Sequence, residues 1–72
     1  MYKEVFKIRI KAVREKYGFT QEQVSAETGI DQSRLSKYEN GHLEPDIEQL
    51  GILANFYQVS IDWLLGNPWK GK

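Results

Sequence analysis

Two helix starts and two helix stops crowd into residues 19–41, FTQEQVSAETGIDQSRLSKYENG, and that crowding leaves this stretch few ways to fold. Thr20 is a good N-cap, and Gln23 three residues on completes a T-x-x-Q capping box. Phe19 and Val24 occupy the N′ and N4 positions of a hydrophobic staple, so the start is well specified. The helix must stop near Thr28, because Gly29 supplies the left-handed conformation that other residues resist. Asp31 then caps the next helix, which runs to Asn40 and ends at Gly41.

The flanking segments also read as helices. In the first, Tyr2, Phe6, Ile10, Val13 and Tyr17 form one stripe at 3.6-residue spacing, and Gly18 ends it. In the fourth, Asp46 is the cap, and Ile47, Leu50, Leu53, Ala54 and Tyr57 make the inner stripe. A fifth begins at Ser60; its Ile61, Trp63, Leu64 and Leu65 are apolar nearly all round, which predicts burial, with Trp63 in the core. The expected architecture is all-α and compact, with five helices at 2–17, 20–28, 31–40, 46–57 and 60–65 and no strand. Residues 1–66 are expected to form the domain and 67–72 a short tail.

Composition narrows the function. Seventy-two residues suit one small unit. With no Cys and a single His, His42, neither a disulfide nor a metal cluster is expected, and no cofactor or small-molecule ligand is suggested. No apolar run approaches the ~20 residues of a membrane span, and MYKEVFKIRIKAVREK lacks a signal-peptide core, so no membrane association and a cytoplasmic location are expected. The formal net charge is zero, but it is unevenly spread: residues 1–18 carry six Lys/Arg against two Glu, whereas residues 19–41 and 42–72 each carry two against four acids. The basic first helix together with Arg34 and Lys37 can still make one positive face. No nucleophile, Gly-rich phosphate cradle or second acid at a functional spacing accompanies Glu39, so the chain is not expected to be an enzyme.

Capped helix, glycine turn and capped helix at residues 20–39 is the layout of a helix-turn-helix, whose second helix enters the major groove of double-stranded DNA. In that helix Ile30, Leu35 and Tyr38 fall on one side, fit for packing. Ser33, Ser36, Lys37 and Asn40 fall on the other, and Gln32 projects from the first turn. Gln can engage adenine N6 and N7 together, and Lys donates to guanine O6 or N7, each good pair giving roughly 1–3 kcal/mol of discrimination. Gln21, in the first turn of the preceding helix, is placed where free N–H groups favour a phosphate.

The strings IKAVREKYGFTQEQVS, TGIDQSRLSKYENG, EP and LANFYQVSIDWLLG, in this order and covering about residues 6–66, resemble the lambdoid phage repressor and Cro family of helix-turn-helix domains, often called the XRE family. The resemblance implies a five-helix domain that binds operator DNA, commonly as a two-fold dimer, and regulates transcription. It implies base reading by Gln32, Ser33 and Lys37, with Ser36 on the same face, and a phosphate contact from Gln21. Arg34 is angled to one flank, for phosphate or base edge; Asn40 either touches phosphate or only caps its helix; His42 lies in a loop beside the backbone. Glu44 departs from the basic residue frequent in that loop, which weakens the loop's expected contribution. Arg14 and Glu39 match a family ion pair that bridges two helices.

Two positions break local rules. Gln58 stands where the family usually has Gly or Asn, at a strain on the order of 1 kcal/mol, and Gly51 interrupts the fourth helix at a similar cost. Ile52 and Phe56, one turn apart on the outer side of that helix, and Trp69 in the tail are the candidate contacts of a homodimer. The expected function is a sequence-specific DNA-binding regulator, a repressor on an inverted-repeat operator. The alternative on the same fold is an antitoxin or adaptor whose surfaces grip another protein.

Overall fold

The computed structural model describes residues 2–67, and its elements are α1 (Tyr2–Lys16), α2 (Gln21–Thr28), α3 (Gln32–Glu39), α4 (Ile47–Tyr57) and α5 (Ile61–Leu65). All five expected helices are present, and no strand occurs among the described residues. Four of the starts are set by side-chain caps. Thr20 Oγ1 accepts from the Gln23 N–H at 3.1 Å while Gln23 Oε1 accepts from the Thr20 N–H at 2.8 Å, so the capping box is complete. Asp31, Asp46 and Ser60 accept from the backbone of Ser33, Gln49 and Trp63 in the same way.

Helix α1 lies against α3 on one side and α5 on another, α2 packs on α3 and α4, and α4 packs on α5. The core at their centre is Phe6, Ile10 and Val13 of α1, Val24 of α2, Ile30, Leu35 and Tyr38 from the turn and α3, Leu53, Ala54 and Tyr57 of α4, and Leu64 of α5. Phe6 meets Tyr38 edge-on with ring centroids 6.1 Å apart, which joins α1 to α3. Gly66 closes α5 at φ +80, and a Cβ there would lie 2.7 Å from Val5 Cγ1. Only glycine therefore lets the chain leave α5 this close to α1.

The stripes overreach at their ends. Tyr2 is 59% exposed and Tyr17 50%: α1 is about 22 Å long at 1.5 Å per residue, longer than the layer it covers. Tyr17 stacks its ring on Tyr57, centroids 6.4 Å apart, without being enclosed. Ile47, expected on the inner stripe of α4, is 87% exposed. At 3.6 residues per turn it sits about 70° round the helix from the centre of the buried Leu53, Ala54 and Tyr57 stripe, in the first turn. Ile61 and Trp63 are likewise partly open, so α5 is buried chiefly through Leu64. Trp63 is not a core residue; the Arg9 guanidinium covers one face of its ring at 4.9 Å, and Arg9 Nη1 donates to the Trp63 carbonyl at 2.5 Å.

Helix α4 is held from two sides. Ile52 and Phe56, expected to be left over from the core, pack partly against it, and the Phe56 ring lies 5.4 Å from that of Phe19. The apolar surface they offer a partner is correspondingly reduced. Trp69 lies outside the described residues. Gln58 ends α4 in the left-handed region at φ 59, and its own amide donates to the Asn55 carbonyl at 2.7 Å, a local bond that offsets part of the strain.

Candidate nucleic-acid interface

Helix α3 is amphipathic and short, so its buried face fixes what the other face can do. Leu35 and Tyr38 are sealed in the core, and Ile30 anchors the turn before them. Gln32, Ser33 and Lys37 are exposed on the opposite side, Arg34 is exposed at its flank beside Tyr38, and Ser36 is half-buried at the edge of that row. A shallow hollow of about 340 Å³ is lined by Asp31, Ser33, Arg34, Lys37 and Leu43, so the start of the helix and the loop after it form one concave surface.

The electrostatics of the hollow are local. A hydrogen bond from the Ser33 side chain, helped by the backbone N–H groups of Ser33 and Arg34, holds the Asp31 carboxyl below the usual carboxylate range. The Tyr38 hydroxyl, and behind it the charges of Asp46 and Asp31, raise the Arg34 guanidinium above its ordinary value. The Tyr38 hydroxyl also donates to Gln49 Oε1, tying α3 to α4. Asn40 caps the end of α3, and its Nδ2 donates to Ser36 Oγ at 3.3 Å. His42 is exposed just beyond, where its backbone N–H donates to the Lys37 carbonyl at 2.8 Å.

Gln21 reaches this region from α2 through an ion pair. Arg14 donates to Glu39 in bidentate fashion, Nε to Oε2 at 2.7 Å and Nη2 to Oε1 at 2.9 Å, and its Nη1 donates to the Phe19 carbonyl at 2.8 Å. Gln21 Nε2 donates to the same Glu39 Oε1 at 3.1 Å. The end of α1, the start of α2 and the end of α3 are thereby held on one carboxylate. The Glu39 hydrogen bond strengthens the charge of Arg14, and burial together with the Glu39 charge pushes the neighbouring Tyr57 phenol up to about 12.

The structure brings Gln32, Ser33 and Lys37 onto one face with Arg34 at its flank, Ser36, Asn40 and His42 along its continuation and Gln21 at the junction with α2. Ile52 and Phe56 lie on a different helix and belong to another surface. Sequence reading missed the Ser33–Asp31 bond and the Gln21–Glu39 bond. The D-x-S pattern at the cap signals the first, whereas the second needs the fold, since 18 positions separate its partners. No group of three or more His, Cys, Asp or Glu among the described residues could hold a metal ion, and no helix among them is long and apolar enough to cross a membrane.

Comparison with known proteins identifies the family of the domain. A family model described as helix-turn-helix matches residues 10–64. The HTH-type transcriptional regulator ImmR of Bacillus subtilis is 41% identical over 64 residues, covering 89% of this chain and 50% of that protein. An SPbeta prophage-derived HTH-type transcriptional regulator of the same organism, YonR, is 38% identical, covering 85% of this chain and 56% of its own length. The HTH-type transcriptional activator BcrR of Enterococcus faecalis is 32% identical, with 83% of this chain and 29% of BcrR covered. The chain thus spans about half the length of the first two relatives and under a third of the last.

Proposed function

Because the chain belongs to the helix-turn-helix family matched over residues 10–64, we propose that it is a transcriptional regulator that binds double-stranded DNA with the outer face of α3. The observation that carries this reading is the row Gln32, Ser33 and Lys37: uncovered polar side chains on a helix whose opposite side is locked into the core. Inserted in a major groove, Gln32 would engage adenine, Lys37 guanine, and Ser33 and Ser36 the neighbouring base edges. Gln21, Arg34, Asn40 and His42 flank that row and would contact the DNA backbone, with Arg34 also within reach of a base edge. Arg14 and Glu39 touch no DNA in this reading; they hold α1, α2 and α3 in register.

The chain acts as a homodimer on an inverted repeat, since one short row of readers discriminates weakly and a two-fold pair reads two half-sites. Occupying an operator blocks a promoter without any further contact, so repression is the sign we assign. Nothing in this function requires catalysis or a cofactor. Selection from random DNA with the purified protein tests it. The expected result is an enriched inverted repeat with half-sites about 10 base pairs apart, centre to centre, or a multiple of that. A single enriched half-site would overturn the dimer, and no enrichment at all would overturn DNA reading.

A further inference from the structure

The two serines on the outer face of α3 are not equivalent hydrogen-bonding groups. A serine hydroxyl has one proton to donate and two lone pairs to accept with. Ser33 Oγ is bonded to Asp31 Oδ2, which also accepts the Ser33 backbone N–H at 3.1 Å. An ionised carboxylate has no proton to give, so the proton in the side-chain bond is that of Ser33. The carboxyl of Asp31 is held below its ordinary range, first by this bond, and so is ionised at neutral pH. The Ser33 hydroxyl is therefore left with lone pairs alone for anything that approaches from the exposed side. Ser36 stands the other way round: its Oγ accepts from Asn40 Nδ2 at 3.3 Å, which leaves its own proton to give.

In the major groove only the exocyclic amines, adenine N6 and cytosine N4, donate; every other polar base atom there accepts. We infer that Ser33 is a specificity-determining residue that reads one exocyclic amine, and that Asp31 is the positioning residue that gives it this polarity. The inference rests on the DNA-binding reading above and deepens it. Asp31 is then more than a helix cap. By turning the Ser33 proton back toward the helix start, it makes the hydroxyl reject guanine O6, thymine O4 and the purine N7 atoms at that position.

The test begins with sequences selected by the parent protein and by Ser33→Ala, which locate the base pair whose identity stops mattering when the hydroxyl is removed. Two duplexes are then made at that base pair. One lacks the exocyclic amine (purine for adenine, or 2-pyrimidinone for cytosine), and the other replaces the purine N7 by C–H. Loss of the amine should weaken binding of the parent by about five- to tenfold, the worth of one hydrogen bond. It should change Ser33→Ala by less than about twofold, and loss of N7 should leave the parent within about the same margin. Asp31→Gly keeps an acceptable helix cap and frees the hydroxyl, so its selected sequences should accept the amine on either strand at that base pair. The inference is overturned if amine loss weakens parent and Ser33→Ala equally, if N7 loss weakens only the parent, or if Ser33→Ala relaxes no base pair. Asp31→Gly selecting as strictly as the parent would overturn the role of Asp31. A parent protein that enriches no sequence overturns the DNA-binding reading itself, and this inference falls with it, an outcome distinct from all the others.

Discussion

Helix α3 has two faces with opposite demands on them. Leu35 and Tyr38 on its inner side are 4% and 1% exposed and are held by α1, α2 and the Tyr38–Gln49 bond to α4. On its outer side Gln32, Ser33 and Lys37 touch little beyond their own helix and its cap. An eight-residue helix is too short to be stable alone in water, so its rotation about its own axis is dictated by the inner side. The outer side is aimed without contributing to stability, which leaves its side chains free to be chosen for a ligand. Stability and recognition are separable here, residue by residue, along one helix.

That separation can be broken by mutation, and the largest effect belongs to the inner side. Leu35→Ala should destabilise the protein by about 2–4 kcal/mol, through lost burial and the cavity left behind. Chemical denaturation measures it, and a value under about 1 kcal/mol would mean that α3 is not anchored as described. Next comes the ion pair beneath the interface. Arg14→Ala leaves Glu39, whose side chain is 6% exposed, without its bidentate partner, and should cost on the order of 1–3 kcal/mol. An unchanged unfolding midpoint would show that the pair contributes nothing. A double mutant with Glu39→Ala should recover part of that loss, because no uncompensated charge then remains.

Stabilising changes away from α3 probe the same independence of its two faces. A Cβ added at Gly51 meets nothing within 4 Å, so Gly51→Ala should gain about 1 kcal/mol of helix stability. Gln58→Gly should gain less, under about 1 kcal/mol, because it removes the strain at φ 59 together with the side-chain bond to Asn55. If the two faces of α3 are independent, both variants should melt higher and bind DNA as the parent does. The smallest effect is expected on the outer side, where Gln32→Ala and Lys37→Ala should shift stability by less than about 0.5 kcal/mol.

Local chemistry was legible in the amino-acid order, and tertiary angle was not. Every cap residue from Thr20 to Ser60 acts where its spacing places it, because a cap needs only the few residues after it. The inner row Ile30, Leu35 and Tyr38 was readable for the same reason: periodicity over one or two turns survives any packing arrangement. Ile47, Tyr2 and Trp63 were misread as core because burial at a helix end depends on where the neighbouring helix stops. The Arg9–Trp63 contact spans 54 positions, and no pattern in the chain signals it. In the interface, the exposed row follows from the inner one, whereas the sharing of Glu39 by Arg14 and Gln21 emerges only when three helix ends meet.

Whether the outer face of α3 reads base sequence is decided by Lys37→Ala. Gel-shift titrations would compare parent and variant on the selected operator and on a random duplex of equal length, at two salt concentrations. Operator binding should weaken by roughly 1–3 kcal/mol while binding to the random duplex barely changes, because base contacts discriminate and phosphate contacts do not. Gln21→Ala, by contrast, should weaken both duplexes alike with little change in salt slope, as expected of a neutral phosphate contact. A Lys37→Ala protein that binds the operator as tightly as the parent would show that this face of α3 does not read bases, since the side chain at its middle would then read nothing.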